Sequence, residues 1–420
     1  MKRTTINPNK ISFLQRIHID GWLLVGLLVL SCVGLFTLYS ASGQDMEQME
    51  RQFIRLGFSF IVMFGLAQAP LGVFRFFSTY AYGAGLLMLI AVLLFGDMGK
   101  GAQRWLDLGF IRFQPSELMK LAVPMMVAWY ISKFTMPPRT THIIVGFGLV
   151  VVPTILIAKQ PDLGTSLLIA SSGIFAIFLA GMSWRLISVV GGLIGAFAPV
   201  MWFFLMKDYQ KQRVLTFLNP ESDPLGSGYH IIQSKIAIGS GGVDGKGWLQ
   251  GTQSQLEFLP ERHTDFIFSV FSEEFGLTGV MCLMAIYIFI IMRGLIISSR
   301  AQDAYAKLLG GSITLTFFVY VFVNMGMVSG LLPVVGVPLP LVSFGGTSMV
   351  TLMAGFLTYK STLKINLPGN SGGLKQILAH YLQLRGQCMN LTYFPFNPNG
   401  HHWFKIIKKK KLNQMNKKKL

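Results

Sequence analysis

Apolar segments of about twenty residues recur along most of this chain, beginning at Gly21. Each is long enough to cross a bilayer hydrocarbon core of about 30 Å as a helix. Hydrophobic residues make up 52% of the 420 residues and charged residues only 13%, and the segments lack the two-residue alternation of barrel strands. Because an unclosed sheet would leave backbone groups unpaired in lipid, the sequence predicts an all-α, polytopic membrane protein.

About ten transmembrane spans are predicted. They cover residues 21–39, 53–69, 78–95, 117–134, 142–158, 163–181, 186–205, 266–297, 308–331 and 345–359. The span at 266–297 is longer than one perpendicular helix requires, so we expect it to tilt or to extend beyond the bilayer. The predicted organisation is an N-terminal segment at 1–20, a membrane domain at 21–359 and a basic tail at 360–420.

Lysine and arginine in the short connections predict the orientation. The N-terminal segment and alternate later connections carry Lys2, Arg3, Lys10, Arg16, Arg75, Lys133, Arg139, Arg185, Arg293, Arg300 and Lys307. By the positive-inside bias these connections face the cytoplasm, and an even number of spans places both termini there. The connection at 206–265, whose opposite charges nearly balance, becomes a large extracytoplasmic loop.

The formal net charge of +18 does not indicate nucleic-acid binding, because much of it lies in loop anchors and in residues 405–419. Basic charge beside a membrane favours contact with anionic lipid headgroups. The tail follows a Gly-rich linker and has no clear hydrophobic period, so we assign it no fold. The first apolar segment exceeds the roughly 7–15 residues of a signal-peptide core, and we expect it to remain as a span.

Ionisable residues within the predicted spans are candidates for function. Glu117 and Lys120 lie three residues apart, on one face of the fourth span. Two interpretations stay open for them, a salt bridge that orders the bundle and one wall of a substrate cavity. Asp162, which follows Pro161 at the start of the sixth span, fits either a helix cap or a functional carboxylate.

The outer connection at residues 100–107 combines positive charge with an aromatic side chain. It contains Lys100, Arg104 and Trp105. An arginine and a lysine beside the interface suit binding to a phosphate or a lipid headgroup. An interfacial helix that only anchors the chain explains the same composition.

Residues 258–268 place charged and titratable side chains directly before a long apolar segment. Asp265 fits the first turn of a helix capped by Thr264, where the helix dipole stabilises an ionised carboxylate. An ionised carboxylate at the water interface is also what a general base needs. His263 is an alternative base from the same segment.

Six ordered motifs lie at residues 100–107, 113–117, 160–165, 228–239, 258–265 and 336–346. They resemble those of the SEDS (shape, elongation, division, sporulation) family of ten-span bacterial inner-membrane proteins. The resemblance covers about residues 7–359. The tail beyond about residue 364 departs from the short ending expected of the family.

The resemblance implies a peptidoglycan glycosyltransferase that polymerises lipid II, an undecaprenyl-pyrophosphate-linked disaccharide peptide, during cell elongation. Asp265 matches the family's essential aspartate, which is expected to deprotonate the acceptor's GlcNAc 4-hydroxyl for an inverting attack on the donor's MurNAc. Glu117, Lys120 and Asp162 match positions at the family's cavity and are expected to bind substrate or to shape it. The candidates to stabilise the leaving pyrophosphate, with or without Mg²⁺ or Mn²⁺, are Lys100, Arg104, Arg213, Lys235 and Arg262.

The resemblance also implies a partner, a class B penicillin-binding protein that supplies transpeptidase activity within an elongation complex organised by actin-like filaments. Two other hypotheses remain. A lipid II flippase is favoured by polar residues near mid-bilayer, although the concentration of charge at the outer interface argues against it. A non-catalytic scaffold for the transpeptidase is the second.

Overall fold

A computed structural model describes residues 20–99, 102–107, 112–206, 208–222, 227–256, 258–259 and 261–355. These residues form thirteen α-helices and one small sheet. The helices are α1 (Gly21–Ala41), α2 (Met46–Gln68), α3 (Leu71–Phe95), α4 (Pro115–Ile131), α5 (Thr140–Lys159), α6 (Leu163–Leu179), α7 (Trp184–Val200), α8 (Asp208–Leu218), α9 (Ser227–Ser240), α10 (Thr252–Gln255), α11 (Ile267–Ser299), α12 (Ala304–Val328) and α13 (Thr347–Gly355). The predictions for the N-terminal segment at 1–19 and for the tail at 360–420 lie outside the described residues.

Each of the ten predicted spans overlaps one helix, from α1 to α7 and from α11 to α13. Among the described helices, five are long and apolar enough to cross a membrane by length and composition alone, namely α1, α3, α5, α11 and α12. The predicted extracytoplasmic loop at 206–265 contains the shorter helices α8, α9 and α10, and a π-helical turn at Met201–Leu205 precedes it. The prediction of an all-α, polytopic membrane protein is confirmed.

Local sequence signals explain where several helices begin. The side chains of Asp20, Asp45, Asp162 and Asp303 each accept a hydrogen bond from a first-turn N–H, at 3.0, 2.9, 3.2 and 2.9 Å respectively. Such an acceptor satisfies a backbone donor that has no partner inside the helix. Helix α4 begins at Pro115, whose missing N–H costs nothing at that position.

Buried apolar side chains form two clusters. The first joins α1, α2, α11, α12 and the C-terminal segment at 337–354. The second joins α3, α4, α5, α6 and the beginning of α12. Because α12 contributes to both clusters, it holds the two halves of the bundle together.

The connection between α3 and α4 is a small antiparallel sheet. Its strands are β1 (Asp97–Gly99), β2 (Ala102–Asp107) and β3 (Arg112–Phe113), in that spatial order. The interfacial helix, one of the two interpretations of residues 100–107, is therefore wrong. Strand β3 leads directly into α4, so the sheet fixes the start of the helix that carries Glu117.

The long helix α11 is interrupted near its beginning. Gly276 has a φ of +61° and a ψ of −163°, a conformation that a residue with a Cβ adopts only with strain. The loop at 241–247 packs so closely here that a Cβ on Gly276 would lie 2.3 Å from the backbone nitrogen of Gly245. The 23 residues that follow the break suffice to span a bilayer, which explains the excess length of the predicted span.

The same loop replaces backbone hydrogen bonds that the break removes from α11. The N–H groups of Leu277 and Thr278 donate to the carbonyls of Gly242 and Val243, at 3.0 and 3.1 Å. On the other side of the break, the N–H of Lys246 donates to the carbonyl of Glu273 at 3.0 Å. The loop at 241–247 and the start of α11 are therefore held as one unit.

Candidate functional site

A polar cavity of about 540 Å³ lies where α4, α6 and α12 meet the loop at 206–265 and the segment that follows α12. Five of the nine predicted site residues line it: Arg104, Glu117, Lys120, Asp162 and Asp265. Four of them come from four separate motifs of the sequence and Lys120 follows Glu117 by one helical turn, and the fold brings all five together. The cavity is therefore the candidate active site.

Glu117 and Lys120 form the buried ion pair that their spacing on α4 predicts. Nζ of Lys120 lies 2.6 Å from Oε1 of Glu117, and each side chain is 9% exposed. Thr351 of α13 donates to Oε2 of Glu117 at 3.3 Å, and the Lys120 ammonium lies 5.5 Å from the ring centroid of Tyr320. The pair is both a salt bridge between neighbouring turns and part of the cavity wall, so the geometry accommodates both interpretations.

Asp162 has a capping role and a place in the cavity as well. Its Oδ1 accepts the N–H of Thr165, and its Oδ2 accepts a hydrogen bond from the amide of Gln114 at 3.2 Å. The guanidinium of Arg104 lies 3.7 Å from Oδ2 of Asp162 and donates to the backbone carbonyls of Gln160 and Pro161. These bonds hold the guanidinium of strand β2 against the start of α6.

Asp265 lies in the turn before α11. The expectation that Thr264 caps this helix is wrong, because the helix begins at Ile267 and Phe266, at the N-cap position, makes no side-chain cap. Instead, Thr264 donates through its hydroxyl to the carboxylate of Glu261 at 3.0 Å, and its N–H donates to the Glu261 carbonyl at 3.0 Å. The turn at 261–266 thus presents Asp265 to the cavity from outside the helix.

Three consecutive backbone carbonyls of this turn are fixed by donors from α12 and the segment that follows it. Phe344 donates through its N–H to His263 at 2.8 Å, Ser343 donates through Oγ to Thr264 at 2.6 Å, and Asn324 donates through Nδ2 to Asp265 at 2.9 Å. The amide of Asn324 also donates to the Val337 carbonyl at 2.7 Å. Asn324 therefore fixes the backbone of Asp265 to the cavity wall formed by residues 334–338.

The described lining of the cavity carries more negative than positive charge. Its carboxylates are Glu117, Asp162, Glu261 and Asp265, and its cations are Arg104 and Lys120. The described residues hold no group of three or more His, Cys, Asp or Glu side chains suited to a metal ion. Asp265 and Glu261 are two further carboxylates of this lining. Mg²⁺ held by one or two carboxylates also needs substrate phosphates and water as ligands.

The other predicted cations are placed differently. Lys235 is exposed and lies beside Gly330, and Arg262 lies beside Gly43. Neither is among the lining residues of the cavity. Lys100 and the side chain of Arg213 lie outside the described residues.

The sequence analysis missed several residues that line the cavity or support its wall, among them His230, Tyr320 and Asn324. Asn324 and Tyr320 are fully buried within a predicted span, and a buried polar side chain in a span is the same signal that identified Glu117. His230 lies within the motif at 228–239, but nothing in the sequence brings it beside Asp265. Burial lowers the pKa of the His230 imidazole, an effect that the negative charge of Glu261 partly opposes.

Comparison with known proteins identifies the family. The profile of the FtsW, RodA and SpoVE family, described as "Cell cycle protein", matches residues 14–360. Peptidoglycan glycosyltransferase MrdB of Escherichia coli K12 is 56% identical over 352 residues, which cover 84% of this chain and 95% of that protein. A probable peptidoglycan glycosyltransferase FtsW of Geobacter metallireducens is 36% identical over 365 residues, 82% of this chain and 94% of that protein.

Solved structures share the fold. A chain of a peptidoglycan synthase complex, in which polymerisation and crosslinking are coordinated, is 28% identical with a TM-score of 0.72, covering 83% of this chain and 99% of that chain. The rod shape-determining protein RodA of Thermus thermophilus is 26% identical with a TM-score of 0.62, covering 86% of this chain and 100% of that chain. The family profile over residues 14–360, the identity with the curated relatives and the shared fold show that the chain belongs to the FtsW/RodA/SpoVE family of cell cycle proteins, the SEDS family.

Proposed function

We propose that this chain polymerises lipid II into glycan strands at the outer face of the bacterial inner membrane, with Asp265 as the general base. The curated relatives are named peptidoglycan glycosyltransferases, and the chain is an enzyme of that class. The observation that supports the site assignment is one cavity that contains Asp265 together with the paired charges Glu117–Lys120 and Asp162–Arg104.

The reaction requires one proton transfer and one displacement. Asp265 takes the proton of the acceptor's GlcNAc 4-hydroxyl, and the resulting oxygen attacks the anomeric carbon of the donor's MurNAc. The bond from that carbon to the pyrophosphate breaks, and the bonding electrons leave with undecaprenyl pyrophosphate. A single displacement inverts the anomeric centre, and pyrophosphate needs no acid to protonate it, unlike the leaving group in glycoside hydrolysis.

Positive charge stabilises the departing pyrophosphate. Lys120 and Arg104 are the described lysine and arginine side chains in the cavity, and each already faces a carboxylate. A pyrophosphate carries more charge than either carboxylate, so it can attract both cations as charge develops in the transition state. Lys100, Arg213, Lys235 and Arg262 remain predicted contributors from the outer connections. A divalent cation bound with the substrate would supply further positive charge.

The family relationship supports further proposals about location and partners. Both termini face the cytoplasm, and the basic tail contacts anionic lipid headgroups. A class B penicillin-binding protein supplies the transpeptidase activity, in keeping with the synthase complex whose chain shares this fold. The two proteins work within an elongation complex organised by actin-like filaments.

Reconstitution tests the proposed activity against its alternatives. The purified chain is placed in liposomes with its class B partner, whose transpeptidase site is blocked by a β-lactam, and with fluorescent lipid II. We expect labelled glycan polymer that a muramidase digests. Transfer of lipid II between leaflets without polymer would instead indicate a flippase. A stable complex with neither activity would indicate a scaffold, and either result would contradict the proposal.

A further inference from the structure

His230 lines the cavity but has no part in the reaction described above. It belongs to α9, and its ring stacks on that of Phe266 with a centroid distance of 5.8 Å and an interplanar angle of 19°. Phe266 is 3% exposed and directly follows Asp265 in the chain. The imidazole and the proposed catalytic carboxylate therefore lie on adjoining parts of one wall.

The environment of the ring favours a neutral imidazole. Burial lowers the pKa of His230 from its ordinary value of about 6.5, so the ring is uncharged at neutral pH. A neutral imidazole carries one N–H donor and one acceptor nitrogen. Which nitrogen holds the proton then decides what the ring offers to a ligand.

The two ring nitrogens of His230 differ in their surroundings. Nδ1 is buried and has no hydrogen-bond partner among the described residues, while the residue as a whole is half-buried and borders the cavity. Nδ1 is therefore unpaired in either neutral tautomer, and Nε2 is the nitrogen left to exchange a hydrogen bond with a ligand. With its proton on Nε2, the ring presents an N–H donor to that ligand.

The position of His230 indicates which part of the substrate it meets. Glu261 is close enough for its charge to act on the imidazole, and Asp265 directly precedes Phe266, on which the ring stacks. A pyrophosphate is repelled by these carboxylates and attracted by Arg104 and Lys120. Sugar hydroxyl and acetamido oxygens are neutral acceptors for an N–H donor. The group beside His230 is therefore carbohydrate.

We propose that His230 binds the acceptor sugar, with its Nε2–H donating to a sugar oxygen next to the hydroxyl that Asp265 deprotonates. The inference rests on the proposed glycosyltransfer and adds a substrate-binding residue to it. Because the imidazole positions the acceptor and carries no proton in the reaction, its loss weakens substrate binding more than it slows the chemical step.

The test measures initial polymerisation rates against lipid II concentration for wild type, His230→Ala, His230→Gln and His230→Asn, each in complex with the class B partner. His230→Ala is expected to raise KM roughly five- to tenfold, as for one lost neutral hydrogen bond, with kcat within about twofold of wild type. Glutamine can place an N–H near the position of Nε2, whereas asparagine is too short. His230→Gln should therefore recover most of the loss, and His230→Asn should resemble His230→Ala.

His142 provides a matched control, since its ring also stacks on a phenylalanine, Phe134, at a centroid distance of 3.6 Å, and it is not among the lining residues of the cavity. His142→Ala should leave KM and kcat near their wild-type values. Thermal unfolding and gel filtration of each complex show whether the variants are folded.

Three results would overturn the inference: an unchanged KM in His230→Ala, a fall in kcat without a change in KM, or a His230→Gln variant as impaired as His230→Asn. Failure of the proposed function is distinguishable, because the wild-type complex would then form no polymer. If wild type is active and Asp265→Asn is inactive while His230→Ala behaves as wild type, only the role of His230 is lost.

Discussion

The carboxylate of Asp265 lies against a residue without a side chain. Gly336 has a φ of +72°, and a Cβ built on it would lie 3.4 Å from Oδ2 of Asp265. At this φ a residue with a Cβ is strained by about 1–2 kcal/mol. Relief of that strain would shift the 334–338 segment, which Asn324 connects to the backbone of Asp265.

Gly336→Ala is therefore expected to reduce the rate of polymerisation roughly tenfold, since small displacements of a reacting group lower effective molarity steeply. The rate is measured with labelled lipid II, and thermal unfolding of the same preparation reports the loss of stability. Gly57→Ala is the control, because no atom lies within 4 Å of a Cβ at this position in α2. Equal rates for Gly336→Ala and wild type would show that this segment does not position Asp265.

At the level of secondary-structure elements, the Glu117–Lys120 ion pair is the charged part of α4 that lines the cavity. Removing one partner of a buried ion pair leaves an uncompensated charge, at a cost of about 3–5 kcal/mol. We expect Glu117→Gln to lower the unfolding temperature by several degrees. The double variant Glu117→Gln with Lys120→Met should recover most of that stability, because it buries no unpaired charge.

Activity of the double variant decides between the two interpretations of the pair. If the pair binds substrate, the double variant is stable but its polymerisation rate stays at least tenfold below wild type, since the lysine no longer meets the pyrophosphate. Recovery of both stability and polymerisation would assign the pair to bundle packing alone. Lipid II titrations of the two variants provide the measurement.

The elements differ in how far the sequence predicts them. Apolar length alone predicts ten helices, since lipid leaves few other conformations to the backbone. The sheet at 97–113 is too short to show a two-residue alternation, so composition could not distinguish it from an interfacial helix. The break at Gly276 depends on the loop at 241–247, which is about thirty residues away in sequence. A contact of that kind leaves no periodic pattern to detect.

The residues of the site also divide into those that the sequence predicts and those that it does not. The sequence could predict Glu117, Lys120 and Asp162, because placing an ionisable side chain in or beside a span costs free energy and such residues usually serve a function. Asn324 could have been found by the same reasoning, since it is a buried amide in α12. The proximity of His230 to Asp265 could not be predicted, because it arises from the packing of α9 against the turn that precedes α11, and the two segments are distant in sequence.

At the scale of the whole molecule, two ion pairs and the cavity can be compared with the orientation that the sequence predicts. Arg293 pairs with Asp20, and Arg75 pairs with Asp303, each with an N–O distance of 2.7 Å. Asp20, Arg75 and Asp303 come from connections that the distribution of Lys and Arg assigns to the cytoplasm, and Arg293 lies in the last turns of α11 beside another. The cavity residues Arg104, Asp162, Glu261 and Asp265 come from connections assigned to the other side, as the proposed orientation requires.

Thiol labelling tests this orientation. Single cysteines replace Gln255 in α10 and Gln302 between α11 and α12, both exposed residues, in a chain whose native cysteines are replaced by serine. In spheroplasts, a membrane-impermeant maleimide should label Gln255→Cys directly and Gln302→Cys only after permeabilisation. The reverse pattern would place the cavity at the cytoplasmic face and contradict the proposed direction of synthesis.

The central claim is that Asp265 acts as the base in this cavity, and one comparison tests it most directly. Wild type and Asp265→Asn, each in complex with the class B partner, are assayed for lipid II binding and for its conversion into polymer. The isosteric amide cannot accept the proton, so the polymerisation rate should fall roughly 10²- to 10⁴-fold while lipid II binding and complex formation persist. Polymerisation by Asp265→Asn at close to the wild-type rate would contradict the account.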